Sequence, residues 1–526
     1  MKNLKYIILM LFIFNISGCE PDLLDTIPTD RITTEIFWQS EKDALGASTA
    51  IYNYLNANSK HNYIRITDEA HCHNGLSSEG YIKAGVIDAE NPSTILSVWA
   101  NRYEGICAAN YFLANVDKIE TDDPALIPRL KGEVRTLRAY CYMDLAFLYG
   151  DVPLILEVID IDEAREVTRT PVDQIWDFIG QELTAAAADL PLTQKDVGRI
   201  TKGAALALKA RAMSYCGRFQ ECADAAKAVM DLGVYDLYPS FKNLFTYEAE
   251  NNIEVILDEQ FIKNYRSNNM YNKFAPYSTG NPSDSPIVGV KQILDAFEMK
   301  NGMRINEPGS GYDPYNPKAN RDPRLSYSLY TMGDTLLNGQ IFQPQPGSGT
   351  ADELGVYSGS TLTGLLPKKY QNIEDLGTSS NSGINIIIIR YADILLLYAE
   401  AKIELNQIDQ SVYDAINKVR QRPDVGQPAI INDGKTQDQM RDIVRHERYV
   451  ELAFEGPRFF DIRRWRIAED VLNVPIEGYT FVIDGNLWTA KDPGFVTNFD
   501  PTKHYLWPIP KKERDLNKNL TQNPGY

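Results

Sequence analysis

Glu447, Glu451 and Glu455 stand at i, i+4 and i+8 of one helical stretch, which stacks their carboxylates on a single face. Two carboxyls about 5–9.5 Å apart are what a glycosidase sets across a sugar bond. The same stretch also carries Arg445, Arg448, Arg458, Arg463 and Arg464. A guanidinium beside a carboxylate keeps it ionised, which is wrong for a general acid. The reading that follows is a structural ion-pair network, not a catalytic pair.

One cluster has metal-ligand types: His71-Cys72-His73, preceded by Asp68 and Glu69. It has neither the spacing of a zinc knuckle nor a helical His-x-x-x-His pair, so no metal and no cofactor is expected there. His446-Glu447 is not followed by the second histidine of a zincin, and neither a Gly-x-Ser-x-Gly elbow nor a phosphate-cradling loop is present. No catalytic residue is expected.

Aromatic residues interleaved with amides offer different chemistry. Sugars present flat C–H faces ringed by hydroxyls, and a site for them needs aromatic platforms with polar rims. Tyr265, Tyr271, Phe274 and Tyr277 alternate with Asn268, Asn269 and Asn272; Tyr312 and Tyr315 sit among Asp313 and Asn316; Tyr81 follows Asn74 and Glu79. The candidate ligand-binding residues are His73, Asn74, Tyr81, Tyr271, Tyr277 and Tyr312. A peptide could use the same faces. Trp99 is expected to open a helix and pack in the core.

The elements that must position these residues are mainly helices. Val134, Leu137, Cys141, Leu145 and Leu148 recur at steps of three and four, as do Ala205, Leu208, Ala212 and Tyr215. After a turn at Gly217-Arg218, Phe219, Cys222, Ala226 and Val229 form a further stripe; Tyr391, Ile394, Tyr398, Ala401 and Leu405 precede Val412, Ile416 and Val419. Helix, short turn and helix, with small residues at the crossing, is the tetratricopeptide plan. Helical blocks are expected over about 41–232 and 384–470. Between them, 233–383 is rich in Gly, Pro, Asn, Ser and Tyr, with helical periodicity only over Lys291 to Glu298. Further loop-rich stretches are expected from His61 to Ser97 and from 471 to the end.

The chain opens with Lys2 and Lys5, an apolar run from Tyr6 to Phe14, and Ile16-Ser17-Gly18-Cys19. The run is too short for a permanent span of a hydrocarbon core about 30 Å thick. The ending resembles a lipobox, in which cleavage after residue 18 leaves a lipid-modified Cys19; several acyl chains on one residue anchor firmly, at about 0.8 kcal/mol per buried CH₂. Residues 1–18 read as a lipoprotein signal peptide and 19–526 as a single domain. No other stretch is long and apolar enough to span a membrane, so the lipid would be the sole membrane contact.

Lys+Arg number 53 against 71 Asp+Glu, a net charge of −18. An acidic surface repels phosphate backbones, so nucleic acid is excluded as a partner. Of the six cysteines, Cys72, Cys107, Cys141, Cys216 and Cys222 remain once Cys19 is assigned. Five is odd, the last four lie among helical apolar positions, and no important disulfide is expected.

The C-terminal part of the chain carries Arg390-Tyr391-Ala392-Asp393-Ile394-Leu395-Leu396 with Ala399-Glu400-Ala401, Arg445-His446-Glu447-Arg448 through Gly456, Arg458-Phe459-Phe460-Asp461-Ile462-Arg463-Arg464-Trp465, Pro508-Ile509-Pro510, and the closing Asn523-Pro524-Gly525-Tyr526. With these as its most specific motifs, nearly the whole chain resembles the SusD/RagB family of outer-membrane nutrient-binding proteins. Ala296-Phe297-Glu298 and Arg321-Asp322-Pro323-Arg324 also match, although Asn301 stands where the family usually has aspartate. The resemblance implies a tetratricopeptide-like helix-pair scaffold with an irregular, loop-rich ligand-binding half. It further implies a lipid-anchored protein on the outer face of the outer membrane that captures oligosaccharide, or in some members peptide, for a SusC-like TonB-dependent transporter. Two rivals follow from the residues: a surface glycosidase or peptidase, which needs a cleft acid or a metal, and a purely protein-binding repeat scaffold, which leaves the Tyr/Asn-rich loops without a role.

Overall fold

The computed structural model describes residues 37–72, 77–279, 287–357, 359–378, 380–492 and 494–526. The signal segment, Cys19, His73 and Asn74 lie outside the described residues.

Helices begin where short polar side chains can satisfy free backbone N–H groups. Ser40 and Asp43 form a reciprocal capping box at the start of α1 (Glu41–Ile51), and Thr436 and Gln439 do the same for α9 (Gln437–Glu451). Between these lie α2 (Ser93–Asn115), α3 (Leu126–Tyr149), α4 (Val172–Asp189), α5 (Lys202–Tyr215), α6 (Phe219–Asp231), α7 (Tyr391–Glu404) and α8 (Gln410–Arg420); α10 (Pro457–Arg464) follows. The expected stripes are the buried faces: Val134, Leu137, Cys141, Leu145 and Leu148 in α3, Ala205, Leu208 and Ala212 in α5, and Cys222, Ala226 and Val229 in α6 are all buried. Trp99 is buried as expected, but in the second turn of α2, which begins at Ser93.

Neighbouring helices stack in chain order, α2 on α3, α3 on α4, α4 on α5 and α5 on α6. Small residues permit the close crossings: a Cβ built on Gly132 of α3 would lie 3.1 Å from the Ala186 carbonyl of α4 and 2.9 Å from Leu190. Gly217, at φ +74°, turns the chain between α5 and α6, a conformation that other residues adopt only with strain. The stack then skips the insertion, because α6 packs directly on α7, and α7 on α8 and α9. The two helical blocks are one array with one continuous core.

The insertion has more structure than its composition suggests. β2 (Val255–Glu259) pairs antiparallel with β6 (Ile386–Arg390) and closes its base, while β1 (Ala70–Cys72) pairs antiparallel with β3 (Ile287–Gly289). β4 (Leu329–Tyr330) pairs with β5 (Leu366–Pro367). Short helices occupy Met270–Phe274, Lys291–Ala296 and Pro323–Ser328, so the helix expected to reach Glu298 stops at Ala296. A second core fills this half, with Phe245, Phe274, Phe297, Leu329, Phe454 and Phe481 among its members.

The other two expected loop stretches are corrected likewise. His61–Ile66 is a 3₁₀ helix and Ser78–Ala84 an α-helix, and the C-terminal region holds a hairpin of β7 (Glu477–Ile483) and β8 (Asn486–Lys491). Its Asp484-Gly485 turn has positive φ at both residues, the arrangement that matches strand twist in a two-residue hairpin. Cys141 and Cys222 are buried, but Cys107 is exposed, so it does not serve as the core side chain its neighbours suggest.

Candidate ligand-binding face

β1 and β3 align Cys72 opposite Ile287 and His71 opposite Val288. His71 is fully buried; its Nε2 lies 3.1 Å from the Asp492 carboxylate, and its ring meets Phe495 edge-on at 4.4 Å. Among the described residues, no group of three or more His, Cys, Asp or Glu side chains could hold a metal ion.

The four described tyrosine candidates fall in different settings. Tyr277 stacks on Tyr357, with centroids 4.6 Å apart and planes 4° from parallel. The turn that carries Tyr277 is clamped from both sides: Ser278 N–H donates to Asp352 Oδ1 at 2.9 Å, and Asn338 Nδ2 donates to the Ser278 carbonyl at 2.8 Å. Tyr357 N–H donates to Ser360 Oγ at 3.1 Å, and the residue is 47% exposed. The pair is a preformed, partly exposed aromatic stack within the insertion.

Tyr81 is 38% exposed on the Ser78–Ala84 helix. That helix is fastened to β1, because Lys83 Nζ donates to the carbonyls of Thr67 and Ala70 at 2.9 and 2.7 Å. Tyr312 is half-buried, its ring over the Arg321 guanidinium at 5.4 Å. Arg321 donates to the Leu294, Phe297 and Pro317 carbonyls, so Tyr312 covers a structural knot with one side of its ring.

Tyr271 requires a correction. It has 0% exposure and cannot offer a face to a ligand. Asn268 Oδ1 accepts the Met270 N–H at 2.9 Å and starts a single helical turn, which directs Met270, Tyr271 and Phe274 inward together. Read as a loop, the segment gave no hint of that turn.

Two aromatics that sequence reading passed over belong to the same region. Tyr357 lies in a Gly/Ser-rich stretch with no periodicity to mark it. Trp488, on β8 opposite Phe481, is 43% exposed beside the exposed Val482 and Leu487; the Asp484-Gly485 pair between alternating apolar residues was a legible hairpin signal. The hairpin is joined to the insertion where Tyr479 N–H donates to the Thr363 carbonyl at 2.6 Å. A Cβ on Gly364 would come within 2.7 Å of the Phe481 ring, so only glycine permits that approach. Gly289 N–H of β3 donates to the Leu365 carbonyl at 3.1 Å. Strand β3, the 360–366 segment and the hairpin therefore form one connected support.

The glutamate triplet is a buried network, but its partners come from elsewhere in the chain. Glu451 accepts from Arg324 at 2.9 Å and from Arg390 and Arg422 at 2.8 Å each. Glu447 pairs with Arg324 and Arg420, and Glu455 with Lys369 and Arg390. The nearby arginines engage other acids: Arg448 takes Asp393 and Asp461, Arg458 takes Asp68, and Arg464 takes Glu400 and Asp461. Burial raises the Glu451 pKa, yet Arg422, Arg390 and Arg324 together hold it well below the usual carboxylate range. None of the three can donate a proton near neutrality. Burial does push Asp258 up to about 6, at the edge of a cleft of about 560 Å³, where Gln260 Nε2 donates to its Oδ1 at 2.7 Å.

A helical repeat array carrying a loop-rich insertion with an aromatic stack defines the class, and comparison with known proteins gives the family. Residues 253–526 match the SusD family, and residues 24–213 match a family described as starch-binding and associating with the outer membrane. The chain belongs to the SusD family. A SusD-like protein of Formosa agariphila is 27% identical over 444 residues, covering 82% of this chain and 81% of its own. Another from the same organism is 26% identical over the full length of both. The crystal structure of a SusD-like carbohydrate binding protein from Bacteroides fragilis superposes with a TM-score of 0.83 at 29% identity, over 92% of this chain and 100% of that one. No described helix is long and apolar enough to cross a membrane.

Proposed function

We propose that this chain is a cell-surface lipoprotein, anchored through Cys19 in the outer membrane, that captures oligosaccharide on the aromatic stack of its insertion and passes it to a SusC-like TonB-dependent transporter without cleaving it. The observation that carries the reading is the parallel Tyr277–Tyr357 pair, fixed by Asp352 and Asn338 before any ligand arrives. A preformed platform avoids the entropy of ordering a loop on binding. Family membership and a Bacteroides fragilis relative described as carbohydrate binding support the ligand class. Tyr81 and Trp488, both partly exposed, and the half-buried Tyr312 are the further described aromatics proposed to contact ligand, and His73 and Asn74 remain proposed polar contacts.

The test is calorimetric titration of the mature chain with a panel of neutral oligosaccharides. Binding is expected in the micromolar-to-millimolar range, about −8 to −4 kcal/mol, and the Tyr277→Ala/Tyr357→Ala double variant is expected to lose it. Detergent extraction of crosslinked cells should recover a TonB-dependent transporter with the protein; recovery of none, with the protein folded and lipidated, would remove the transport half. Among the described residues the hydrolase rival can draw on cleft acids that burial raises, Asp258 and Glu259 side by side at one cleft and Glu513 at another. Cleavage of the bound sugar that disappears in Asp258→Asn would establish it instead.

A further inference from the structure

The helical half holds a cleft whose charge contrasts with the rest of this acidic protein. It measures about 670 Å³ and lies among the ends of α3 and α5, helix α10 and the C-terminal segment. Arg445, Arg463 and Arg466 line it, together with Trp465 and Tyr505. Each arginine has its guanidinium carbon over an aromatic ring: Arg445 over Trp465 at 4.8 Å, Arg463 over Phe459 at 3.8 Å and Arg466 over Tyr505 at 4.1 Å. A guanidinium on an aromatic ring is held in place while its planar fork of N–H groups stays available to an anion.

Acids match those N–H groups poorly. Arg463 is 4% exposed and makes no ion pair among the described residues; its Nη1 reaches the Phe459 carbonyl at 3.3 Å, and its Nε has no partner. Burial alone of a cation costs several kcal/mol unless it is compensated, and here burial pushes the guanidinium down to about 9. Arg445 reaches Glu404 only at 3.3 Å, while Arg441 already holds that carboxylate at 2.8 and 2.9 Å, and Arg445 Nε is unpartnered. Arg466 is exposed and has no carboxylate partner among the described residues. Arg464, in the same wall, shows the contrast: Glu400 and Asp461 both engage it.

We infer that this cleft is a second binding site, for an oxyanion (carboxylate or sulfate) carried on a small ring-bearing ligand, with Arg445, Arg463 and Arg466 as its donors. In-plane guanidinium N–H pairs match the geometry of both anions. The volume falls within the range of about 300–1,000 Å³ usual for small-molecule sites. Trp465 and Tyr505 favour a ring beside the charge. The site shares no residue with the aromatic stack of the insertion, and the inference does not rest on the function proposed above.

The experiment is calorimetric titration of the mature chain with sodium glucuronate, sodium sulfate and sodium acetate at fixed ionic strength, with glucose as the neutral control. Glucuronate should bind at one site, at least tenfold tighter than acetate, and glucose should not compete. The exposed variant Arg466→Gln should weaken glucuronate about tenfold with an unchanged melting temperature, and Arg445→Gln should do likewise. Selenate soaked into crystals should give an anomalous peak within hydrogen-bond reach of Arg463, which reports on the buried donor without mutating it. Binding of sulfate but not glucuronate would overturn the ring-bearing part. No anion binding above chloride, or binding unaltered in both variants while they melt like the parent, would overturn the site.

Discussion

Arg390 and Glu451 stand 61 residues apart in the chain and are joined twice, Nη1 donating to Glu451 Oε1 at 2.8 Å and Nη2 to the Glu451 carbonyl at 2.9 Å. Arg390 is the last residue of β6, where the insertion re-enters the helical array, and Glu451 is the last residue of α9. Glu254, just before β2, also accepts from Arg390 and Arg422. The buried charges thus fasten the base of the insertion to the array at one point.

Glu451→Gln should destabilise the protein by about 3–5 kcal/mol, because it strips charge compensation from three buried guanidiniums at once. Urea unfolding followed by circular dichroism measures the loss. A change below about 1 kcal/mol would show that neighbouring carboxylates take over.

Asp393 supplies a pH dependence. Burial raises its pKa, but Arg211 and Arg448 outweigh that and hold it at about 2, against a usual 3.8. A depressed folded value means stability that is present above pH 4 and is lost as the pH falls through the folded value, here between about pH 4 and 2. At 1.36 kcal/mol per unit this group alone contributes roughly 2 kcal/mol. Asp393→Asn should therefore be less stable than the parent at pH 7, with the gap closing towards pH 2. A gap independent of pH would reject the assignment.

The tyrosines should separate by function. Tyr277→Ala and Tyr357→Ala remove exposed or half-buried ring surface and should weaken oligosaccharide binding with little change in melting temperature. Tyr271→Ala empties a buried site and should cost about 3–5 kcal/mol of stability. If Tyr271→Ala instead loses binding alone, the burial seen here is not that of the binding-competent state.

The lipid anchor is tested on the mature protein from cells. Mass spectrometry should find an acylated Cys19 at the amino terminus, and Cys19→Ala should release the protein from the membrane fraction. A mature terminus elsewhere, without lipid, would end the lipoprotein reading.

Local sequence was enough for the helical array and the family. Helices answer to contacts three and four residues apart, so the α3, α5, α6 and α7 stripes could be read directly and fell on buried faces. The same local rules predicted that Glu447, Glu451 and Glu455 would be neutralised by arginine, but named the wrong arginines. Their partners Arg324, Arg390, Arg420 and Arg422 lie up to 127 residues away, and only folding brings them within 3 Å. The binding face was the least legible part for the same reason. Whether a loop tyrosine faces water or core depends on a turn such as Met270–Phe274, and Tyr277 acquires its stacking partner from a segment 80 residues on, at Tyr357. Side-chain periodicity carries information along an element; which elements meet is settled by the packing of the whole chain.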